Sequence, residues 1–359
     1  MRRLIKIIGG ILLGLLVLAG VTVAGALGYR AHIQHENRRA LQIVSPRGID
    51  EGSYVQVGGL RQWIQIRGED RDNPVLLFVH GGPAMSMIPF TYRSMRSWER
   101  SFTVAQWDQR GAGRTYFLNG GADSTATGMR QIVEDGVGVA EFLRAHLGKP
   151  KIIVMGESWG SAVAIEMARA HPELFYAYVG TGQAVDMHRA EELTYRMLLE
   201  RARAQHDEAA SRELIAIGPP PYTNPTSRKA EQQVLGAQLD KVEDQSLLGR
   251  DLLFAPGYSL RDLFESMVAA TQHRSVLVHD DESYSVLASG TQFAVPLFFF
   301  QGTDDLIAPA SLVSELSGQV KAPRSELVLF PGGGHNAFYY FSDRFLQELN
   351  ARVRPLALN

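Results

Sequence analysis

Cysteine is absent from the 359 residues of this chain. Its absence excludes disulfide frameworks, thiolate zinc sites, iron–sulfur clusters and cysteine nucleophiles. A surplus of one charge is also absent, because 36 lysines and arginines face 38 aspartates and glutamates, for a formal net charge of −2. Such a chain has no basic field that would gather nucleic acid, so we exclude that class of partner.

Several motifs of cofactor and metal chemistry are missing as well. The sequence contains no Walker loop, no HExxH pair and no EF-hand loop, so none of these nucleotide or metal sites is predicted. What is present is the composition of a folded globule, with 45% hydrophobic and 21% charged residues. The length allows one large domain or two modest ones.

The first thirty residues differ from the rest of the chain. After MRRLIK, the 23 residues from Ile7 to Tyr29 carry no charge. As a helix rising about 1.5 Å per residue, this run would span a hydrocarbon core of about 30 Å. Three basic residues precede it, so the positive-inside rule predicts a single-pass membrane anchor over residues 1–30, with the remainder on the outer side.

The alternative for this segment is a signal peptide that is cleaved, which would leave a secreted protein. Ala24, Gly25 and Ala26 provide a small-x-small cleavage site. We favour the uncleaved anchor, because the apolar stretch exceeds the 7–15 residues or so of a signal peptide and leads into a polar segment.

The chain from Ser53 onward predicts a sheet. SYVQV and RQWIQIRG alternate in polarity around Gly58 and Gly59, which is typical of an antiparallel hairpin. Short apolar runs then end at glycine-bearing or polar loops, as buried parallel strands do. These runs are Val75–Val79, Phe102–Trp107, Lys151–Met155, Phe175–Val179, Pro296–Phe300 and Glu326–Phe330.

Helical stretches, among them Met129–Leu147 and Trp159–Ala170, lie between several of these runs and indicate an α/β fold with crossover connections. Residues 186–290 interrupt this alternation with a charged, helical pattern. Because a bare loop of that length does not occur in a compact domain, we predict a mainly helical cap inserted there. The catalytic domain would then comprise residues 44–185 and 291–359.

The sharpest motif is a G-x-S-x-G pentapeptide, Gly156-Glu157-Ser158-Trp159-Gly160. It follows an apolar run and precedes a helical stretch, which is the strand–turn–helix setting of a nucleophile elbow. Such a turn presents the serine hydroxyl at the N-terminus of a helix, where a developing anion is stabilised. We therefore predict Ser158 to be a nucleophile.

A serine nucleophile needs a base and an orienting acid, which follow it in the chain in this architecture. His335 is the downstream histidine that comes directly after a late strand, behind three glycines. The acid should follow the preceding strand, where Asp304 and Asp305 stand side by side. We prefer Asp305 and keep Asp304 as the alternative.

An oxyanion hole requires two backbone N–H groups. Trp159 follows the nucleophile and should provide one of them. The other should come from the loop His80-Gly81-Gly82-Pro83, and we choose Gly82 because proline has no N–H. We expect His80 to pack this loop without taking part in chemistry.

These segments together resemble α/β-hydrolases of the proline iminopeptidase group. The resemblance rests on HGGP at 80–83, WDQRGAGRT at 107–115, GESWGS at 156–161, GTDDLIAP at 302–309 and GGGH at 332–335. It covers the chain from about residue 50 to the end. It implies the α/β-hydrolase fold, the triad Ser158, Asp305 and His335, an oxyanion hole at Gly82 and Trp159, and neither metal nor cofactor. It also implies that Asp108, Arg110 and Arg114 form a buried network.

Two departures from that group concern the substrate. Glu157 stands where the group has glycine, and we expect its side chain to point away from the pocket. The predicted cap contains no tryptophan, although Glu191, Glu192 and Glu200 could anchor a substrate amine. Alternatively, these three carboxylates pair with arginines at helical spacing.

The sequence therefore predicts a membrane-tethered serine hydrolase that acts on short peptides from their N-terminus. A carboxylesterase or amidase for small substrates is the alternative. A catalytically silent module held at the membrane is a remote third possibility, because none of the elements of the triad is missing. The sequence does not indicate the oligomeric state.

Overall fold

A computed structural model describes residues 2–119, 128–268 and 283–358. The predicted cap is thus described except for residues 269–282. The structure contains one eight-stranded sheet, whose strands confirm the predicted runs to within a few residues at their ends. The strands are β1 (Ile49–Val57), β2 (Leu60–Gly68), β3 (Val75–Val79), β4 (Thr103–Asp108), β5 (Ile152–Glu157), β6 (Phe175–Thr181), β7 (Leu297–Gly302) and β8 (Ser325–Phe330).

Helices precede, connect and follow these strands. Those before β7 are α1 (Arg2–Ala40), α2 (Ile88–Thr91), α3 (Gly113–Asn119), α4 (Met129–Leu147), α5 (Trp159–Ala170), α6 (Met187–Ala204), α7 (Glu208–Ile217), α8 (Pro225–Leu239), α9 (Gln245–Leu253), α10 (described over 260–268) and α11 (Val286–Ser289). Those after β7 are α12 (Ala310–Gln319), α13 (Ala337–Tyr340) and α14 (Ser342–Glu348). Helical turns over Leu349–Ala357 follow α14.

The strand order is β1-β2-β4-β3-β5-β6-β7-β8. β1 and β2 form the predicted antiparallel hairpin, and β2 also pairs antiparallel with β4. All other neighbours are parallel. The carboxyl ends of β3, β5, β7 and β8 therefore lie at one edge of the sheet, which is where open α/β sheets bind their ligands.

The core lies on both faces of this sheet, as the apolar runs predicted. Along β3, Val75, Leu77 and Val79 pack into one hydrophobic cluster, together with residues of α4 and α5. Leu76 and Phe78 point to the opposite face and pack with the C-terminal helices. This alternation is the period of two that a strand imposes on its side chains.

The mainly helical insertion predicted between β6 and β7 is present, with α6 to α11 in the described residues. α6 packs on the loop that follows β7, where Thr194 Oγ1 donates a hydrogen bond to the Leu306 carbonyl (2.7 Å) and Tyr195 shares a hydrophobic cluster with Leu306. The insertion therefore covers the carboxyl end of β7.

α1 is longer than the predicted anchor and continues ten residues beyond Arg30. By length and composition, its apolar segment could cross a membrane, and none of that segment is buried against the domain. Its last turns bind the domain through Arg30, Gln34 and Asn37, which share one helix face because they are spaced i, i+4, i+7. These contacts explain why the polar part of α1, from Arg30 to Ala40, stays helical.

Candidate active site

The candidate nucleophile Ser158 lies between β5 and α5 in a strained backbone conformation (φ 53°, ψ −126°). A non-glycine residue with positive φ costs free energy and is held there by its surroundings. Gly160 permits this turn, because a Cβ at that position would lie 2.1 Å from the Val79 carbonyl oxygen. The elbow geometry that the pentapeptide predicts is therefore present, and its cause is the close approach of β3.

The structure brings Ser158, His335 and Asp305 into one hydrogen-bonded chain. The Ser158 hydroxyl donates to His335 Nε2 (2.8 Å), and His335 Nδ1–H donates to the Asp305 carboxylate (3.0 Å to each oxygen). The imidazole and the carboxylate are buried. A base oriented by an acid and within reach of a hydroxyl is the arrangement that activates a serine.

Of the two neighbouring aspartates, Asp305 faces the imidazole. Its Oδ1 accepts hydrogen bonds from the N–H groups of Ile307 and Ala308 (2.8 Å each), and its Oδ2 accepts one from Gln301 Nε2 (2.8 Å). The Asp304 carboxylate lies 3.5 Å from the Arg201 guanidinium instead. The loop after β7 thus presents only the second carboxylate to His335.

The glycine loop after β3 packs directly on the nucleophile. A Cβ on Gly81 would lie 2.8 Å from Ser158 Cβ, so only glycine permits this approach. Gly82 follows with φ 121°. Trp159 begins α5, and the first N–H groups of a helix have no partner within it. Of the two predicted oxyanion donors, Trp159 thus follows Ser158 in the chain, and Gly82 follows the glycine that packs on Ser158. Their role as donors stays a prediction.

Two buried glutamates accompany His335, and sequence reasoning missed both as site residues. Glu157 accepts a hydrogen bond from Gly81 N–H (2.8 Å), and its other carboxylate oxygen lies 3.8 Å from His335 Nε2. The expectation that it points away from the site is wrong, because this hydrogen bond turns it toward the glycine loop. Glu243 accepts hydrogen bonds from the Asn336 backbone and side-chain amides (2.5 and 2.9 Å).

These carboxylates change the proton affinity of the imidazole. Burial on its own lowers the pKa of His335, but the negative charges of Asp305, Glu157 and Glu243 outweigh it and raise the pKa to about 9. Burial also raises the pKa of Glu157 and of Glu243 above the ordinary value. The site therefore stabilises positive charge on His335. Because Glu157 directly precedes Ser158 in the pentapeptide, its position was a signal that it lies near His335. Nothing in the sequence places Glu243 near His335.

His80 has the packing role expected of it. Its Nδ1–H donates to the Gly81 carbonyl (2.7 Å), and its Nε2 accepts from Gln109 N–H (3.2 Å). Burial lowers the pKa of His80 to about 4, so the ring stays neutral and holds the loop.

The WDQRGAGR stretch at residues 107–114 forms structural contacts. Arg110 pairs with Asp135 (2.9 Å), and Asp108 accepts a hydrogen bond from Arg114 N–H (2.8 Å). The Arg114 guanidinium stacks on Tyr258 of the insertion, 4.7 Å from the ring centroid. The stretch therefore links the sheet to the insertion.

The three cap glutamates proposed as amine anchors lie on α6. Glu191 is 3.6 Å from Arg228 on α8, so its partner is an arginine from another helix. Glu192 and Glu200 are exposed. Their role in substrate binding stays a prediction, while the carboxylates next to the imidazole are Asp305, Glu157 and Glu243.

Comparison with known proteins agrees with this fold. The family model for the α/β hydrolase fold matches residues 74–341. The probable aminopeptidase YbaC of Bacillus subtilis is 26% identical over 304 residues, which cover 84% of this chain and 95% of that protein. Proline iminopeptidase of Lactobacillus delbrueckii subsp. lactis is 22% identical over 302 residues, covering 82% and 95% respectively.

Among solved structures, proline iminopeptidase of Mycobacterium smegmatis has a similar fold, with a TM-score of 0.60. Its sequence is 18% identical, and the match covers 86% of this chain and 99% of that one. The family match extends over well over half of this chain and includes the strands that carry Ser158, Asp305 and His335. This protein therefore belongs to the α/β-hydrolase family and is a hydrolase that resembles proline iminopeptidases.

Proposed function

We propose that this protein is a membrane-tethered serine hydrolase that removes N-terminal residues from short peptides. The single observation that supports its chemistry best is the chain of hydrogen bonds from Ser158 through His335 to Asp305. The resemblance to an aminopeptidase and to proline iminopeptidases supports the peptide substrate.

In the proposed mechanism, Ser158 Oγ attacks the scissile carbonyl carbon as its proton passes to His335 Nε2. Asp305 holds the imidazole with the proton on Nδ1 and stabilises the imidazolium. The N–H groups of Gly82 and Trp159 donate to the oxyanion. His335 then gives its proton to the leaving amine, the acyl-enzyme forms, and a water molecule activated by His335 releases the acid.

The proposed tether is α1, with the catalytic domain on the outer side of the membrane. The apolar run from Ile7 to Tyr29 and the basic residues before it support this orientation. A secreted form after cleavage near Ala26 is the alternative. Mass measurement of the mature N-terminus distinguishes the two, since cleavage would remove the first turns of α1.

An aminopeptidase must hold the free α-ammonium group of its substrate. We therefore expect an aminoacyl naphthylamide to be turned over at least tenfold faster than its N-acetyl derivative, because acetylation removes the charge that an anchoring carboxylate would bind. Glu191→Gln, Glu192→Gln and Glu200→Gln should each be measured with both substrates. The anchor is the glutamate whose loss raises KM only for the free amine.

Equal turnover of the two naphthylamides would contradict the aminopeptidase proposal. It would favour the second candidate, a carboxylesterase or amidase for small substrates. One observation favours that candidate: Glu191 has an arginine neighbour, and Glu192 and Glu200 are exposed. Such an enzyme would cleave a p-nitrophenyl ester through the same Ser158 with no need for an amine.

The electrostatics of the site predict an alkaline pH dependence. Only neutral imidazole can accept the Ser158 proton, so kcat/KM should rise with pH and level off above about 9, the pKa of His335. In Glu157→Gln, one negative charge near His335 Nε2 is lost, and the amide oxygen can still accept the Gly81 N–H. The rising limb should therefore move to lower pH by about one unit, measured as the pH profile of kcat/KM.

Glu213→Gln is the matched control for this experiment, because it removes the same charge from an exposed position on α7 that has no proposed role in substrate binding. Its profile should coincide with that of the unmodified protein. If the rising limb of Glu157→Gln stays at the pH of the unmodified protein, then Glu157 does not raise the pKa of His335.

A further inference from the structure

We propose that α10 is an interfacial helix that rests on the bilayer beside α1, so that the insertion touches the lipid headgroup region. This inference depends on the proposed anchoring by α1. Its starting point is the distribution of exposed apolar side chains in the insertion. Leu260 and Phe264 of α10 are 46% and 67% exposed, and Leu253 at the end of α9 is 42% exposed.

The apolar side chains of α10 form a stripe. Leu260 and Phe264 are one helical turn apart, and Met267, also exposed, continues the same face at i+7. Leu263 lies on another face and is buried with Ala255 and Tyr258. That packing fixes the rotation of α10 and leaves the stripe directed away from the domain.

The position of α10 relative to α1 places this stripe at membrane level. The apolar run of α1 ends at Tyr29, and Arg30 donates hydrogen bonds to the carbonyls of Leu253 (2.9 Å) and Tyr258 (2.8 Å). Leu260 comes two residues after Tyr258, a chain distance of about 7 Å at most. A headgroup region is roughly 5–8 Å thick on each side, so the first turn of α10 lies within it.

Further contacts hold α1 and the insertion as one unit. Gln34 Nε2 donates to the Ala255 carbonyl (2.7 Å), and Asn37 Nδ2 donates to that of Phe254 (3.0 Å). The Tyr29 ring meets the Phe254 ring edge-on at 5.9 Å, and tyrosine is enriched where helices leave the hydrocarbon. Because these contacts join α1 to the chain that leads into α10, the orientation of α1 in the membrane determines the orientation of α10.

The polar side of α10 suits the same environment. Arg261 is highly exposed and pairs with Glu265 (2.6 Å) next to the apolar stripe. Helices that lie in the membrane interface combine a charged flank with aromatic and aliphatic residues buried about 5–10 Å below the headgroups. The occupant that these observations favour is therefore the bilayer that α1 enters.

The absence of cysteine permits a direct test on the full chain. Single variants Phe264→Cys, Leu260→Cys and Leu329→Cys, each labelled with an environment-sensitive nitrobenzoxadiazole probe, are reconstituted into phosphatidylcholine–phosphatidylglycerol vesicles. Shallow nitroxide-labelled lipids should quench the probes at 264 and 260 by about half or more. Leu329 is a matched exposed leucine on β8. This strand is six spacings of about 4.8 Å from β2, whose Trp63 packs on the cluster that contains Leu263 of α10, so the probe at 329 should keep its fluorescence.

Leu15→Cys, in the middle of α1, separates the two proposals. Suppose that deep nitroxide lipids quench the probe at 15, but that shallow ones quench the probes at 264 and 260 no more than the probe at 329. Then α1 is inserted and the interfacial role of α10 is overturned. If the probe at 15 is not quenched either, the anchoring proposal itself fails. Probes at 264 and 260 that respond to protein concentration, equally in micelles and vesicles, would indicate a second copy on this face and would also overturn the proposal.

Discussion

Replacing Ser158 by alanine should lower kcat by about a million-fold and abolish labelling by a fluorophosphonate. The expected size follows from enzymes in which serine, histidine and aspartate act as a unit, where loss of the serine alone removes nearly all of their joint contribution. Residual turnover would come from the oxyanion donors and from substrate binding. Single-turnover kinetics on an aminoacyl naphthylamide, with labelling of the intact chain, measures both effects.

Ser161→Ala is the matched control for that variant. Ser161 lies one helical turn further along α5, and its hydroxyl donates to the Ser158 carbonyl and not to His335. It should retain labelling and most of the activity. If the unmodified protein and Ser158→Ala are both unlabelled, the chain is a silent binding module, and the proposed acyl transfer fails.

Replacing Asp305 by asparagine should lower kcat by about ten thousand-fold. Asparagine keeps one acceptor for the Ile307 and Ala308 N–H groups, so the loop can retain its shape. Its amide nitrogen, however, would oppose two donors, Gln301 Nε2 and His335 Nδ1–H. The imidazole would then favour the tautomer with the proton on Nε2, which cannot accept a proton from Ser158.

Asp304→Asn provides the comparison within the same loop. Asp304 is paired with Arg201 on the insertion, so its loss should change kcat by only a few-fold. Both variants should unfold at temperatures close to that of the unmodified protein. If Asp304→Asn shows the large loss and Asp305→Asn does not, then the assignment of the orienting acid is wrong.

The sheet and its helices could be predicted from the sequence because their signals are local. Residues 129–147 were predicted as a helix and form one over the same range, and the hairpin around Gly58 and Gly59 is present. Buried parallel strands are continuous apolar runs, which can be recognised in the sequence without knowing which strands they pair with.

The C-terminal part of α1 shows the limit of local reasoning. The apolar run predicted an anchor that ends near residue 30, whereas the helix continues to Ala40. Arg30, Gln34 and Asn37 stabilise this extension through carbonyls of the insertion more than 200 residues away in the chain. Contacts of that kind leave no local pattern.

Taken by itself, the sequence predicted the family, the strands in their order along the chain, and Ser158 and His335 as nucleophile and base, since each of these two follows a strand in a recognisable motif. It preferred Asp305 to Asp304 as the acid without excluding the latter. Tertiary structure alone decided which of two adjacent aspartates meets His335, and it placed Glu157 and Glu243 beside that imidazole. The physical reason is that a carboxylate acts on a histidine through distance and burial, which chain folding creates between residues that are remote in sequence.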